Sequence, residues 1–267
     1  MKVVLTGANG SFGREYRSFF PHTVSISVRY KDMASYWSLA NELSDGDVLI
    51  HASSNLKPHS LPEAIADNAL LPLDIIDIVN LLKKKIHLIF ISSMSILSET
   101  TKPKRMRDMN DYALSKYLME EMLHRFNGLP ITIVRFSTLF FRDDSKDGLS
   151  AMINNAANKG SIVAADCRRD FLPIDLAVKC VNKMCLNKEY YNKTINLASG
   201  VHHNLVDIAN HLKDKYKVSF HNTILPLLID VCYEFSKHPA HDLIDMKFDI
   251  YELIDKYYRK VKNDKGS

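Results

Sequence analysis

The stretch TGANGSFG, residues 6–13, places three glycines between an apolar run and a segment of helical character. Gly7, Gly10 and Gly13 follow one another at intervals of three residues. Glycine allows a tight turn with positive φ, and its missing side chain lets the backbone approach a pyrophosphate closely. The amides at the start of the next helix then face the anion and are aided by the helix dipole. The stretch therefore predicts a phosphate-binding turn between a strand and a helix.

Short apolar runs rich in Val and Ile recur along the chain at helix-length intervals. In chain order these runs are KVVLT (2–6), TVSIS (23–27), DVLIHAS (47–53), HLIFISS (87–93) and ITIVRFS (131–137), and KTINLAS (193–199) is one more strand later in the chain. Continuous rather than alternating hydrophobicity indicates strands that are buried on both faces, as in a parallel sheet. Helical segments such as 63–83 and 112–126 separate the runs. This alternation predicts an α/β fold with a doubly wound parallel sheet, the Rossmann fold.

The strand–helix rhythm changes after residue 138, where a polar loop at 140–148 precedes a further helix. No stretch has the length of a linker that would free a separate domain. We therefore predict a nucleotide-binding Rossmann domain and a smaller, mainly C-terminal substrate lobe. The first takes residues 1–137 plus about 170–198, and the second takes about 138–169 plus 199–262.

The composition excludes several classes of protein. The 267 residues are 46% hydrophobic and 25% charged, and 35 basic against 31 acidic side chains leave a formal net charge of only +4. So small an excess does not indicate a nucleic-acid partner, and it suits an anionic small molecule equally well. No apolar run approaches the roughly 20 residues of a membrane span. Because the four cysteines form no C-x-x-C pair and the N-terminus lacks a signal-peptide pattern, we predict a cytoplasmic protein.

The segment DYALSK, residues 111–116, sets a tyrosine four residues before a lysine. On a helix Tyr112 and Lys116 would share one face. Hydride transfer at an alcohol or a ketone also needs a proton transfer at the oxygen, but a phenol with a pKa of about 10 is a poor base at neutral pH. A neighbouring ammonium favours the phenolate and lowers that pKa. The pair is therefore a candidate acid–base pair, although the same spacing also occurs on ordinary helix surfaces.

Several motifs occur in the order and spacing of one enzyme family. After the T-G-x-x-G-x-x-G turn come DVLIHASS (47–54), DNALLPLDIIDIV (67–79), IFISSMSIL (89–97), RRDFLPIDLA (168–177) and INLASG (195–200). These are similar to the motifs D-V-x-I-H-x-A, N-x-x-G-T-x-x-L-L, V-S-S-x-x-V-Y-G, R-D-F-x-x-V-x-D-x-A and F-N-x-G-x-G. Residues 1–200 thus resemble the extended short-chain dehydrogenase/reductase superfamily, whose NAD-dependent epimerase/dehydratase family modifies nucleotide sugars. Leu71 and Pro72 depart from the usual Gly-Thr, and Leu97 and Ser98 from the usual Tyr-Gly.

The resemblance implies a catalytic set of Ser93, Tyr112 and Lys116. In this family the tyrosine moves the proton, the lysine lowers the pKa of the tyrosine and reaches a cofactor ribose, and the serine orients the substrate oxygen. The register places that serine at Ser93, the second of the pair that ends its strand, with Ser92 and Ser95 as weaker candidates.

The resemblance also implies a nicotinamide cofactor, held by the glycine turn and by neighbouring strand ends. The second predicted strand ends without an Asp or Glu that would accept from the adenosine ribose, whereas Arg29 falls where an arginine accommodates a 2′-phosphate. NADP(H) is therefore favoured over NAD(H), with Asp32 as the alternative ribose contact. The predicted cofactor-binding residues are Gly7, Asn9, Gly10, Ser11, Phe12, Gly13, Arg29, Asp32, His51, Ala52, Ser53, Asn68, Ser92, Tyr112, Lys116 and Phe136.

The two residues after Ser93 limit which reactions of this family are expected. Related dehydratases carry two carboxylates where this chain has Met94 and Ser95, and one type of epimerase carries a cysteine at the position of Met94. Neither chemistry is expected here. Reduction of a 4-keto sugar on a nucleotide diphosphate needs only the Ser–Tyr–Lys set, and it is the predicted reaction. The alternatives are NAD-dependent C4 epimerisation of a nucleotide sugar and, from another class, a non-catalytic NADP(H)-binding regulatory protein.

The predicted partner is a nucleotide-diphosphate sugar, and the family resemblance also allows a homodimer. The predicted substrate contacts are Ser93, Met94, Thr138, Arg142 and Arg169. No metal site is predicted, because His202 and His203 have no Cys or carboxylate beside them at a ligand spacing.

Overall fold

The computed structural model describes residues 1–97, 102–126, 128–140, 148–223 and 248–264. Its strands are β1 Val3–Thr6, β2 Val24–Ile26, β3 Val48–His51, β4 His87–Ser93, β5 Ile131–Phe136, β6 Thr138–Phe140, β7 Ser161–Ala165, β8 Arg168–Pro173, β9 Thr194–Leu197, β10 His202–Asn204 and β11 Ser219–Thr223. Its α-helices are α1 Ser11–Phe19, α2 Met33–Glu42, α3 Leu61–Ile65, α4 Leu71–Leu81, α5 Asp111–Leu123, α6 Gly148–Lys159, α7 Ile174–Leu186, α8 Leu205–Tyr216 and α9 Ile250–Asn263.

The chain divides into two compact units. The first takes Met1–Leu97, Lys102–Phe136 and Ala177–Leu197, and the second takes the described residues of Ser137–Leu176 and Ala198–Ser267. Residues 170–176, which the sequence prediction assigns to the Rossmann domain, belong to the second unit here.

A six-stranded parallel sheet forms the centre of the first unit, in the order β2-β1-β3-β4-β5-β9. All four residues of β3 and the first four of β4 are buried, as continuous apolar runs predict for central parallel strands. The predicted α/β fold with a doubly wound parallel sheet is therefore confirmed. The strand order reverses direction between β1 and β3, and sheets of this kind bind ligands at that point, beyond the carboxyl ends of the strands.

The main core of the first unit lies between this sheet and helices α2, α4 and α5. Leu39 of α2, Leu43 directly after α2, Ile76 of α4 and Met119 of α5 belong to one buried cluster with the strand residue Phe90, each no more than 1% exposed. Fully burying side chains of this size stabilises a fold by about 1.5–3 kcal/mol each. The apolar faces of these helices therefore hold the strand ends at fixed positions.

A π-helical segment, Ala66–Leu70, joins α3 to α4 where the sequence predicts one continuous helix over 63–83. The backbone N–H of Leu71 donates to the carbonyl of Ala66, five residues back. Pro72 follows, and its ring nitrogen cannot donate to a carbonyl four residues earlier. The wider turn accommodates this missing donor, and such segments frequently occur at functional sites.

The second unit contains two small sheets. One has the order β10-β8-β6, with β10 antiparallel and β6 parallel to β8, and the other pairs β7 with β11 in parallel. Helices α6, α8 and α9 supply most of its buried cluster, which includes Phe140, Ile153, Leu212 and Ile254. This unit therefore has its own apolar core.

In the ranges that the structure describes, no helix combines the length and the apolar composition that a membrane crossing requires.

Candidate active site

The glycine turn is packed too tightly for side chains. Gly7 has φ +77°, and a Cβ on it would lie 2.5 Å from the backbone nitrogen of Ser53 and 2.6 Å from the carbonyl carbon of Ala52. A Cβ on Gly13 would lie 2.3 Å from the carbonyl oxygen of Gly7. Glycine is thus required at two positions where backbone segments come close together. Gly7 packs against the residues directly after β3, and Gly13 packs against Gly7 and Ala8 within the turn.

The start of α1 fits an anion. Gly10 is its N-cap residue and supplies no capping side chain, while its amide donates to the carbonyl of Gly7 at 3.0 Å and closes the turn. Ser11 and Phe12 begin the helix. A helix start of this kind, reached through a glycine turn, fits the pyrophosphate of a dinucleotide.

The predicted site residues of the first unit cluster at the carboxyl ends of adjacent strands. The register pairs Thr6 with His51 and Ser93 with Phe136. The ring of Phe136 lies 5.3 Å from the ring of Phe12, centroid to centroid, so the end of β5 packs against α1 directly after the glycine turn. The turn and the strand ends thus form one edge of the sheet.

His51 is held neutral at the end of β3. Its Nδ1 lies 2.8 Å from Oγ1 of Thr6, and its side chain is buried. Burial, with a smaller contribution from the charge of Lys116, lowers the pKa of His51 to about 3. Its Nε2 has no hydrogen-bond partner among the described residues. A neutral imidazole of this kind cannot act as a general acid at neutral pH. We therefore assign His51 a role in packing or in binding a ligand at this edge, and none in proton transfer.

Tyr112 stands in the first turn of α5, which the side chain of Asn110 caps by accepting from the amide of Ala113 at 2.8 Å. Its phenol is close to the side chains of Ser93 and Ser54. Burial raises the pKa of Tyr112, while hydrogen bonding to Ser93 and to Ser54 acts in the opposite direction. Ser93 and Ser54 therefore both lie beside the phenol of Tyr112.

Lys116 lies one turn further along α5 and is only 1% exposed. Its Nζ donates to the carbonyl of Ile91 at 3.0 Å. This hydrogen bond anchors the side chain to β4, two residues before Ser93. Burial lowers the pKa of Lys116 to about 8, and the carboxylate of Glu120 opposes that change. An ammonium with this pKa stays mostly protonated at neutral pH and can stabilise a phenolate nearby.

Glu120 anchors a buried polar network behind Lys116. Its carboxylate accepts from Nε of Arg135 at 2.9 Å and from the hydroxyl of Ser92, while Nη1 of Arg135 reaches Oδ1 of Asn196 at 3.4 Å. Glu120 is only 1% exposed in its side chain and Arg135 15%. The hydroxyl of Ser92 therefore belongs to this network.

We expect Glu120→Gln to destabilise the protein by about 3–5 kcal/mol, because it leaves the largely buried guanidinium of Arg135 without its counter-charge. Urea unfolding would measure the change. The matched control is Glu121→Gln on the same helix, where the side chain is exposed and the expected change is within about 0.5 kcal/mol. A Glu120→Gln midpoint equal to that of the control would show that the pair contributes little to stability.

Asn68, in the π-helical segment, uses its whole amide within the protein. Its Oδ1 accepts from the backbone N–H of Asn55 at 2.8 Å and from the hydroxyl of Ser54 at 3.0 Å. Its Nδ2 donates to the carbonyl of Asn55 at 2.9 Å and to Oγ of Ser115 at 3.1 Å. The residue predicted as a cofactor contact thus joins the segment after β3 to α5.

A cavity of about 600 Å³ lies beside the end of β2 and the segment after β3. Its lining residues are Val28, Arg29, Tyr30, Ser53, Ser54, Asn55, Asp67 and Leu71. Arg29 is exposed on this lining, whereas the carboxylate of Asp32 accepts from the amide of Ser35 at the start of α2 and does not line the cavity. Of the two predicted ribose contacts, only the arginine faces this cavity.

The predicted substrate contacts are divided between the two units. Met94 follows Ser93 in the first unit and is fully buried. Thr138 begins β6 and Arg169 lies in β8, both in the second unit. Arg142 lies outside the described residues.

The buried carboxylate of Asp170, next to Arg169, accepts from the amides of Ser199 and Gly200. These hydrogen bonds join the RRDFLPID motif to the INLASG motif.

Two features of the site are missing from the sequence predictions. Ser54 is one residue beyond the predicted cofactor contact Ser53, and only its contacts with Tyr112 and Asn68 distinguish it. Glu120 stands four residues after Lys116, a spacing that places the two on one helix face. Among the described residues, no group of three or more His, Cys, Asp or Glu side chains could hold a metal ion.

Comparisons with known proteins bear on the family and on the fold of the chain. The profile of the NAD dependent epimerase/dehydratase family matches residues 3–198. No curated protein sequence matches the chain. Among solved structures, MoeE5 in complex with UDP-glucose and NAD is 14% identical, covers 100% of both chains and has a TM-score of 0.82.

Two further structures have the same fold. RMD from Pseudomonas aeruginosa, complexed with NADPH, is 14% identical over 99% of this chain and 100% of its own, with a TM-score of 0.80. UDP-glucuronic acid 4-epimerase from Bacillus cereus, in complex with UDP-glucuronic acid and NAD, is 15% identical over 98% of this chain and 99% of its own, with a TM-score of 0.75. At such identities the likeness establishes the fold alone.

Proposed function

Since the chain belongs to the NAD dependent epimerase/dehydratase family, we propose that it catalyses the NADPH-dependent reduction of a 4-keto sugar carried on a nucleotide diphosphate. The observation that carries this proposal is the grouping of Ser93, Tyr112 and Lys116 at the carboxyl edge of the parallel sheet, beside the glycine turn.

Each of the three residues has a role that its surroundings support. Tyr112 donates its phenolic proton to the carbonyl oxygen of the substrate. Lys116, held by the carbonyl of Ile91, stabilises the phenolate that remains. Ser93 donates a hydrogen bond to the same substrate oxygen as negative charge develops on it, which lowers the barrier.

The glycine turn and the cavity beside Arg29 fit the cofactor. Gly7 and Gly13 leave room for backbone at the positions where side chains would collide, and the helix start after Gly10 suits a pyrophosphate. Arg29 on the cavity lining suits a 2′-phosphate. When bound, the nicotinamide supplies the hydride that the carbonyl carbon receives.

The residue after Ser93 limits the chemistry. Met94 is fully buried and has no group that takes up a proton, so neither elimination of water nor abstraction of a carbon-bound proton has a base at this position. Reduction needs no further acid or base than Tyr112. This is why a reductase fits the residues best.

The second candidate is a C4 epimerase that oxidises the sugar and reduces it again on the other face. The same Ser–Tyr–Lys set serves both reactions, and the similar structures include a UDP-glucuronic acid 4-epimerase bound to NAD and an RMD bound to NADPH. The arginine at the cavity favours the reductase, because NADPH is the cofactor that carries a 2′-phosphate and is consumed in net reduction.

The discriminating experiment is an NADPH-oxidation screen against dTDP-, GDP-, CDP- and UDP-linked 4-keto-6-deoxy sugars. We expect oxidation of NADPH with one nucleotide class, and one product stereoisomer. Interconversion of two C4 epimers without net cofactor oxidation would identify the epimerase instead. Binding of NADPH without turnover of any sugar would favour the non-catalytic regulatory protein.

Arg29→Ala should weaken NADPH binding by roughly 10- to 100-fold, because it removes a charge-assisted hydrogen bond worth about 1.5–3 kcal/mol. NADH binding should change little, since NADH has no 2′-phosphate. Calorimetric titration of both cofactors measures the two effects. Arg17→Ala, on the exposed last turn of α1, is the control for loss of a positive charge. Equal losses for NADPH and NADH would contradict the assignment of Arg29 to the phosphate.

A further inference from the structure

The hydroxyl of Ser92 binds a buried carboxylate on the helix that carries Tyr112 and Lys116. Its Oγ lies 2.5 Å from Oε1 of Glu120 in α5, and the serine is only 3% exposed. Nε and Nη2 of Arg135 donate to the same carboxylate, which in this ion pair can only accept hydrogen bonds. Ser92 therefore donates its single hydroxyl proton to Glu120 and has none left to donate to a substrate.

The sheet register fixes the surroundings of this carboxylate. Ser92 of β4 is paired with Arg135 of β5, and Arg135 is paired with Asn196 of β9. Residues paired in this way in a parallel sheet point to the same face, so the three side chains form one polar row. Within the row, Nη1 of Arg135 reaches Oδ1 of Asn196 at 3.4 Å. Glu120 is thus held against a row whose spacing the sheet determines.

Two hydrogen bonds join α5 to the end of β4. Nζ of Lys116 donates to the carbonyl of Ile91 at 3.0 Å. One helical turn later, Glu120 accepts from Ser92, the next residue of the strand. Ser93 follows directly and ends the strand. The two bonds therefore set where α5 lies relative to the strand end at which Ser93 stands.

The bond from Ser92 is the more rigid of these two links. A serine hydroxyl is separated from the backbone by one side-chain torsion, whereas lysine and arginine reach their partners through long flexible stems. Lys116 and Arg135 can follow a small shift of the helix and keep their hydrogen bonds. The hydroxyl of Ser92 cannot follow it without movement of the strand, so this bond limits the position of α5 most closely.

We propose that Ser92 is a further positioning residue for the reaction: by donating to Glu120, its hydroxyl fixes α5, and with it Tyr112, against the end of β4. The inference rests on the proposed function of Tyr112 as proton donor. Ser92 itself takes up no proton and contacts none of the reacting atoms. This role differs from the two that the family resemblance implies for Ser92, a weaker candidate for the catalytic serine and a cofactor contact.

The test compares Ser92→Thr with Ser92→Val in the full-length protein. The two β-branched side chains have nearly the same shape and differ in a hydroxyl against a methyl group, so strain from the added volume is common to both. We expect kcat for NADPH-dependent reduction of the keto sugar to be about 10- to 100-fold lower in Ser92→Val, because a misplacement of about 1 Å has an effect of that size. KM for the sugar and the affinity for NADPH should be nearly the same in both variants.

Hydrogen exchange follows the helix itself and needs no turnover. The amides of Asp111–Leu123 should exchange faster in Ser92→Val than in Ser92→Thr, because α5 has lost its most rigid link to β4. Ser92→Ala adds no volume to the strand and should behave as Ser92→Val does. It keeps the comparison possible if the larger side chains prevent folding.

Equal kcat and equal exchange in Ser92→Thr and Ser92→Val would overturn the proposal. Faster exchange with equal kcat would overturn it too, because a hydroxyl that contributes only to stability gives that result. Weaker NADPH binding with equal kcat would make Ser92 a cofactor contact instead. A parent protein that turns over no keto sugar, yet shows the difference in exchange between the variants, would overturn the proposed function while the link between Ser92 and α5 stands.

Discussion

Replacing Tyr112 with phenylalanine should lower kcat for reduction of the cognate 4-keto sugar by about 10²- to 10⁴-fold, the usual contribution of a positioned general acid. The variant keeps the ring that is packed at the start of α5 and loses only the oxygen near Ser93 and Ser54. Cofactor affinity should change little, because the glycine turn and the cavity beside Arg29 are untouched. The effect should therefore appear in kcat rather than in stability or NADPH binding.

The measurement is the rate of NADPH oxidation at saturating sugar, with thermal unfolding and NADPH titration on the same preparation. Tyr117→Phe is the matched control, since it makes the same chemical change on the same helix outside the Ser–Tyr–Lys set. Undiminished turnover in Tyr112→Phe would remove the tyrosine from the mechanism. A parent protein that binds NADPH but has no activity for the variant to lose would favour the regulatory alternative.

Gly13→Ala should weaken cofactor binding by roughly 10- to 100-fold and also destabilise the fold. The added Cβ would lie 2.3 Å from the carbonyl oxygen of Gly7 and 2.7 Å from Cα of Ala8, and both neighbours are backbone. Forcing a methyl group into such a space costs about 1–3 kcal/mol. A loss of this size in binding free energy corresponds to a roughly 10- to 100-fold weaker affinity, because the displaced turn no longer fits the pyrophosphate. Calorimetric titration with NADPH and urea unfolding measure the two effects.

Gly148→Ala provides the control for Gly13→Ala. Gly148 begins α6, and a Cβ there would meet no atom of the described residues within 4 Å, so the substitution should leave both cofactor affinity and stability nearly unchanged. An affinity for NADPH in Gly13→Ala equal to that of Gly148→Ala would show that the turn does not cradle the cofactor.

Much of the first unit follows from the sequence, because its signals are local. Val48–His51 and His87–Ser93 are apolar runs long enough to identify buried parallel strands, and the family match confirms the predicted family. The spacing of Gly7, Gly10 and Gly13 likewise predicts a tight turn from neighbouring residues alone. A turn between a strand and a helix restricts which residues fit, whatever the rest of the chain does.

The features that escaped prediction depend on contacts between distant residues. Thr138–Phe140 and His202–Asn204 are three-residue strands whose pairing with β8 decides their conformation, and such short runs carry no periodic signal. The π-helical turn at Ala66–Leu70 depends on the pairing of individual backbone groups rather than on a side-chain pattern. The partnership of Glu120 with Arg135 requires knowing that α5 packs beside β5.

The close approach of Gly7 to the backbone of Ala52 and Ser53 joins the glycine turn to the segment that follows β3. Ser54 is the next residue along that chain, and its hydroxyl adjoins Tyr112. Any ligand that immobilises the glycine turn also immobilises the backbone from which Ser54 projects. We therefore expect a change in the glycine turn to be transmitted to the backbone beside Tyr112.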